Sequence, residues 1–379
     1  MDIYRLGKLN DSRSILEELG VQSGGVSIIS SKMELYYFYI KELPTPAANI
    51  LKQDALSIGA ELAVPSGVIT CTKDYYDCIL IGTKKHIEIL SRKELAQPFG
   101  LKRVAKELQK FLKSKSYSRK IMAIINANSD SFYEGSRYLS NDAIVQIKRV
   151  ISDGADIIDI GAVSSRPYAD VVEKEEELSR IKPICDAIYD THLYRDSIFS
   201  IDSYTPSVVE YALQRGFSIV NDITGAKDEQ IIELAIKYKA KLVIMHMQGT
   251  PQDMQNNPHY DDVMVDVSAF FERQIERCEE MGLDREYIIL DVGIGFGKSL
   301  DDNLTLIRNL SHFQKFGCEL LIGASRKSLI DHITPTPIND RLAGTLAIHL
   351  KALEGGASII RCHDVAPHLQ AIRVYEAML

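Results

Sequence analysis

The chain changes rhythm near residue 115. From Lys120 onward one phrase recurs: a short apolar run that ends in a polar or glycine-containing turn, then a stretch with apolar residues at helical spacing. Eight such runs can be read off: 120–127 (KIMAIINA), 156–162 (DIIDIGA), 197–203 (SIFSIDS), 218–224 (SIVNDIT), 241–247 (KLVIMHM), 287–293 (YIILDVG), 319–325 (ELLIGAS) and 357–363 (ASIIRCH). They are too apolar for half-exposed strands, as expected of parallel strands covered on both faces. Helical patterns at 173–190, 206–215, 262–281 and 340–354 fill the gaps, and Pro206 stands where a helix start tolerates it. Eight β/α units in succession predict a closed (β/α)8 TIM barrel over residues 116–379, the size such a barrel needs at ~250 residues.

Residues 1–115 follow another pattern. Strand-like runs at 26–30, 33–40, 67–71 and 76–83 mix with helical patterns at 44–60 and 99–112, which predicts a separate small α+β domain with no motif to attach to chemistry. A stabilising or oligomer-forming role suits it better than a second enzyme. The stretch 101–120 (LKRVAKELQKFLKSKSYSRK) combines apolar residues at helical spacing with lysine and arginine, then becomes polar, and places the boundary between Ser114 and Arg119. Charge on the outer side of a surface helix accounts for it without an acidic partner.

Composition narrows this picture. With 45% apolar and 25% charged residues the chain has the make-up of a globular protein with a sizeable core. A net charge of -8 argues against nucleic acid as a partner while allowing a local basic pocket. Six scattered cysteines without a CxxC fit a reducing compartment, and no leader or membrane-length apolar run stands in the sequence, so a cytoplasmic protein is expected.

The chemistry of a TIM barrel gathers at the C-terminal ends of its strands. Those ends carry Asn126, Ser164 to Pro167, Asp202, Asn221, Met245 with His246, Asp291, Ser325 to Lys327, and Arg361 with His363. Singly, each has a structural alternative; Asp202 and Asp222 could cap loops and Asn221 could close a turn. Together they imply a polar ligand, because several polar groups at one mouth are costly unless they bond to one another or to something bound. Arg361 and His363, two apart on the last run, predict an anion site. GIGFGKS at 293–299 is not a Walker loop, since Val292 occupies its first glycine position, and no HExxH, Cys/His cluster or GxSxG is present. Cys362 should point away from Arg361 and His363 and pack as a small apolar side chain.

In order along some 260 residues, these segments resemble the dihydropteroate synthase family. Residues 126–132 (NANSDSF) resemble its first loop, 163–167 (VSSRP) its second, and 200–202, 220–223, 245–251, 290–298, 325–328 and 361–364 follow in the family's order. The resemblance implies an enzyme that joins 6-hydroxymethyl-7,8-dihydropterin pyrophosphate to p-aminobenzoate. It implies a pterin bound by Asp202, Asn221, Asp291 and Lys327, and a pyrophosphate bound by Asn126, Arg361 and His363. Phe132, Ser165, Arg166, Pro167, Phe296 and Ser328 would hold p-aminobenzoate. Catalysis would rest on Asp202, Lys327, Arg361 and His363, Mg²⁺ would sit at Asn126, and the barrels would form a homodimer.

Departures from the family pattern, at Ala127 to Ser129, Val163, Ser165, Tyr168, Val292 and Ala324, bear on p-aminobenzoate affinity and sulfonamide sensitivity more than on the reaction. The rival readings are a methyltetrahydrofolate-type methyltransferase, which would not need Lys327, Arg361 and His363 for a pyrophosphate, and a pterin-binding paralogue without turnover.

Overall fold

The computed structural model describes Ile3 and residues 12–113, 115–127, 136–163, 172–250, 252–254 and 256–378, without the side chains of 136–141. The chain forms two compact units, the first running to Ser114 and the second spanning Lys115–Ala377.

In the first unit, β1 (Leu35–Pro44) and β2 (Glu61–Ala63) both pair antiparallel with β3 (Tyr75–Thr83). Along β3 the side chains of Tyr76, Cys78 and Leu80 are buried while those between them are more exposed, the period of a half-covered strand. Leu51 of the helix Thr45–Ser57, Leu90 of Lys84–Lys93 and Leu108 of Leu101–Leu112 join that buried face in one core.

Two expected strands are not strands. Residues 26–30 lie in a helix, Ser23–Ser30, because an apolar run this short cannot distinguish the two periods. Residues 67–71 form a turn: Gly67 and Cys71 have φ of 99° and 54°, so the backbone reverses where the apolar letters suggested extension.

The second unit is a closed barrel of eight parallel strands, one from each predicted run. They are β4 (Lys120–Asn126), β5 (Ile157–Gly161), β6 (Ile198–Asp202), β7 (Ile219–Asp222), β8 (Lys241–Met245), β9 (Ile288–Asp291), β10 (Glu319–Ile322) and β11 (Ile359–Cys362). β11 pairs with β4 and closes the ring. Outward-facing strand residues such as Ile158, Ile160, Leu290 and Ile360 join the surrounding helices in one large core.

Alternate residues face the barrel interior and build three tiers. The middle tier is an apolar layer of Met122, Ile157, Ile219, Val243, Ile289, Leu321 and Ile359. At the N-terminal end Glu319 is bridged by Lys120 at 2.9 Å and by Lys241. Two residues beyond the apolar layer come Asp159, Asn221, Asp291 and Arg361, so the strand period itself delivers polar side chains to the mouth. Among the described residues no helix is long and apolar enough to cross a membrane.

Candidate active site

The centre of the mouth is an arginine held by two carboxylates. Arg361 donates from Nε to Asp159 Oδ2 at 2.7 Å and from Nη2 to Asp202 Oδ2 at 2.6 Å. Asp159 Oδ2 also accepts from Asn221 Nδ2 at 3.0 Å. Strands β5, β6, β7 and β11 are thereby tied by one bonded group. Burial, with Asp159, Glu177 and Asp222 nearby, pushes Asp202 up to about 7 against the pull of Arg361.

Asp291 ends β9, and its Oδ1 accepts from Gly293 N at 2.8 Å. Burial raises its pKa, while Lys327 and that backbone bond pull the other way. The following loop is shaped by Lys298, whose buried ammonium donates to the carbonyls of His246, Gly293 and Phe296 at 3.0, 3.0 and 2.9 Å. Three donors meet three acceptors, which satisfies the ammonium without a carboxylate. Gly293 is required: a Cβ there would stand 2.0 Å from His246 O, and its φ is 66°. Lys327 comes over this loop from the β10 side, donating to Ile294 O with its Nζ 4.3 Å from the Phe296 ring centre. Burial lowers Lys327 to about 8, although Asp291 favours the charged form.

The turn after β10 is fastened from behind. His349 Nε2 accepts from Ala324 N at 3.0 Å, and Thr345 Oγ1 accepts from Arg326 N at 3.0 Å. His349 Nδ1 lies 2.8 Å from His368 Nε2, and His368 Nδ1 lies 2.6 Å from the Asp364 carbonyl. A backbone N–H at one end and a carbonyl at the other leave room for one proton order only, so both rings are neutral, each donating from Nδ1. Burial lowers both pKa values in the same sense. Arg326, at a left-handed φ of 57°, binds Asp364 through Nε and Nη2 at 3.1 and 2.6 Å.

The expected site residues divide by place. Asp202, Asn221, Asp291, Lys327, Phe296 and Arg361 converge on the mouth. Asn126 stands exposed at the end of β4, and Ser328 is exposed at the start of the helix Ser328–Ile333. His363 lies just past β11 with Nδ1 2.9 Å from Ser325 Oγ. Phe132, Ser165, Arg166 and Pro167 lie outside the described residues. Arg361, expected to present its fork to an anion, has Nε and Nη2 engaged by carboxylates, because alternation places it opposite Asp159 rather than at the rim.

Of the loop-capping alternatives, Asp222 takes that role: it accepts from Thr224 N at 2.7 Å and Ala226 N at 3.0 Å. His246 is a buried histidine 5.0 Å edge-on to Phe270, and burial lowers it to about 3. Cys362 is wholly buried in the helix-facing core.

Several residues escaped the sequence reading. Asp159 sits inside an apolar run, and its only signal was sharing the inward parity of Ile157. Glu177 accepts from Ser203 and Thr205 hydroxyls at 2.6 Å each and so fixes the loop that follows Asp202. Lys298 and the His349–His368 pair act on backbone groups, which leave no sequence pattern.

Comparison with known proteins agrees with this geometry. Residues 122–363 match the family of pterin binding enzymes. The chain is 41% identical over 367 residues to a bifunctional dihydropteroate synthase/dihydropteroate reductase of Helicobacter pylori, covering 97% of this chain and 96% of that one. It is 39% identical over 258 residues to the dihydropteroate synthase of Haemophilus influenzae, covering 68% of this chain and 93% of the other. The crystal structure of Yersinia pestis dihydropteroate synthase in complex with a sulfonamide drug superposes with a TM-score of 0.64 at 36% identity, covering 69% of this chain and 94% of that one. The chain belongs to the dihydropteroate synthase family of pterin-binding TIM-barrel transferases.

Proposed function

We propose that the mouth condenses 6-hydroxymethyl-7,8-dihydropterin pyrophosphate with p-aminobenzoate, giving 7,8-dihydropteroate and pyrophosphate. The observation that carries this reading is the inward ring of Asp202, Asn221 and Asp291 with Lys327 and Arg361 above a sealed apolar layer. A pterin offers an aminopyrimidinone edge with two parallel N–H groups, and a carboxylate such as Asp291 matches that edge. Lys327 bonds the ring's carbonyl side, and Asn221 and Asp202 take the remaining ring nitrogens.

In the reaction the C–O bond at the pterin methylene breaks, its electron pair leaves with pyrophosphate, and the aryl amine forms the C–N bond and loses a proton. Asp202 supplies negative charge beside the cation that develops on the pterin. His363 and the remaining N–H groups of Arg361 face the departing anion. Phe296 and Ser328, with Phe132, Ser165, Arg166 and Pro167 as the family resemblance implies, would take p-aminobenzoate and keep water from the cation. The reductase activity in the Helicobacter relative's name is said of that protein; the mouth geometry supports the synthase reading.

The donor set fits a metal that arrives with its substrate. Asn126 offers one neutral amide oxygen at the rim, and among the described residues no group of three His, Cys, Asp or Glu could hold an ion. Mg²⁺ keeps several waters and accepts phosphate oxygens, so one protein oxygen suffices. Bound there, it would neutralise charge on the leaving pyrophosphate.

Purified chain supplied with both substrates and Mg²⁺ should release dihydropteroate and pyrophosphate in equal amounts. Pterin binding without pyrophosphate release, or transfer of a methyl group instead, would refute the reading.

A further inference from the structure

The turn that carries Lys327 and the turn that carries His363 follow the paired strands β10 and β11. Two ties between these turns reach solvent. Ser325 Oγ meets His363 Nδ1 at 2.9 Å, and Arg326 binds Asp364 through Nε and Nη2. A third tie is wholly buried. Ala324 N–H, His349, His368 and the Asp364 carbonyl form one line of hydrogen bonds at 3.0, 2.8 and 2.6 Å, with the two rings supplied by the helices Leu342–Glu354 and Val365–Ala377.

Such a line is costly to build from imidazole. Each buried ring needs a partner for both nitrogens, whereas two leucines would pack there without any. The ends of the line also dictate its order. Ala324 N–H can only donate and the Asp364 carbonyl can only accept, so each ring must hold its proton on Nδ1 and offer Nε2 as acceptor. Burial, then His368 and Lys327, lowers His349 well below the ordinary histidine value, and burial lowers His368 too, which keeps both rings uncharged. Turning either ring over would set donor against donor or lone pair against lone pair. Two flat, stiff rings in one permitted order make a spacer of set length between Ala324 and Asp364.

Both ends of the spacer lead to the mouth. Lys327 N donates to Ala324 O at 3.3 Å across a turn in which Arg326 has a left-handed φ of 57°, so the place of Ala324 sets that of Lys327. At the other end Asp364 directly follows His363. We propose that His349 and His368 are a positioning pair whose single proton order fixes the spacing of Lys327 from His363, and with it the alignment of the ring with the departing pyrophosphate. The inference rests on the reaction proposed above. Both rings are wholly buried, so they act only through the backbone of the two turns.

The test combines steady-state kinetics and melting of the full-length chain with NMR of the histidine ring nitrogens. In wild-type protein at neutral pH two histidines should carry the proton on Nδ1 and leave Nε2 bare. His349→Leu fills the space without an acceptor. Its melting temperature should fall as Ala324 N–H is left unpaired, and kcat should drop about a hundredfold through misalignment. KM for either substrate should stay within about threefold, since Asn221 and Asp291 still bind the ring. His349→Gln, whose amide carries an acceptor and a donor spaced much as the ring nitrogens are, should recover kcat to within about fivefold of wild type.

A lower melting temperature with kcat unchanged would leave the pair as packing and overturn the inference. Equal losses of kcat in His349→Gln and His349→Leu would do the same, as would a proton on Nε2 of either ring in wild type. Should His349→Leu fail to fold, His368→Leu keeps the Ala324–His349 bond but removes its far anchor, and an unchanged kcat there is equally fatal. Absence of wild-type turnover would refute the proposed reaction and this inference together, whereas full turnover kept by His349→Leu refutes the inference alone.

Discussion

The two ends of the barrel interior each set carboxylates against cations, separated by one apolar layer, and they behave in opposite ways. At the N-terminal end Glu319 has a lysine on each carboxylate oxygen, Lys241 on Oε1 and Lys120 on Oε2. Burial pushes its pKa up, but these bonds hold it below the ordinary value. At the mouth, Asp159, Asp202 and Asp291 face Arg361 and Lys327, and burial raises both Asp202 and Asp291 despite the cations. The first cluster is complete and consolidates the fold. The second is short of donors and is arranged for a ligand that brings them.

The largest expected effect that separates the two is at Lys327. Lys327→Ala removes a cation beside Asp291 and above Phe296, and should lower kcat/KM by about a thousandfold or more, or ~4 kcal/mol of transition-state stabilisation. The melting temperature should move little, because Asp291 can take up a proton once the lysine is gone. Near-normal turnover in a folded variant would remove Lys327 from the site.

Glu319→Ala is the counterpart at the other end. Both lysines are partly exposed and can turn to water, so the loss should be discounted to about 2 kcal/mol of stability. Turnover should stay within about twofold of wild type, because conservation of geometry at the mouth does not depend on the opposite face. Chemical denaturation and steady-state kinetics on one preparation read both quantities. A large loss of kcat/KM without loss of stability would erase the division between the ends.

Much of this was legible in sequence because the barrel repeats one rule eight times. Each run from 120–127 to 357–363 holds a parallel strand, since burial on both faces makes the run apolar and the turn that follows makes it end. The first unit was harder. Its short runs at 26–30 and 67–71 carry too few residues to fix a period, and one became a helix and the other a turn. At the mouth, residues at the ends of runs stood out by position. Asp159 did not, because it lies within a run, and the meaning of Arg361 changed with it. Nor could letters alone reveal Lys298 or the His349–His368 pair, which act on backbone atoms.

The smallest effect, and the most specific to the mouth, is in pH dependence. Asp202 is pushed up to about 7 and Lys327 is lowered to about 8. Below the first value the carboxylate that would stabilise a pterin cation is protonated; above the second the ammonium is neutral. The kcat/KM profile should therefore be a narrow bell with limbs near those values, falling about tenfold per pH unit outside them. Asp202→Asn should remove the acid limb.

Stability should not follow activity. Asp202, Asp222 and Asp291 have raised folded pKa values, so each stabilises more as pH falls. His246, lowered to about 3, with His349 and His368, contributes stability that is complete above ~6.5 and is lost as pH falls. The two groups oppose each other between about pH 5 and 6.5, so the melting temperature should stay nearly level there while turnover declines. A melting temperature that collapsed in step with kcat/KM would show that acid unfolds the mouth rather than discharging it.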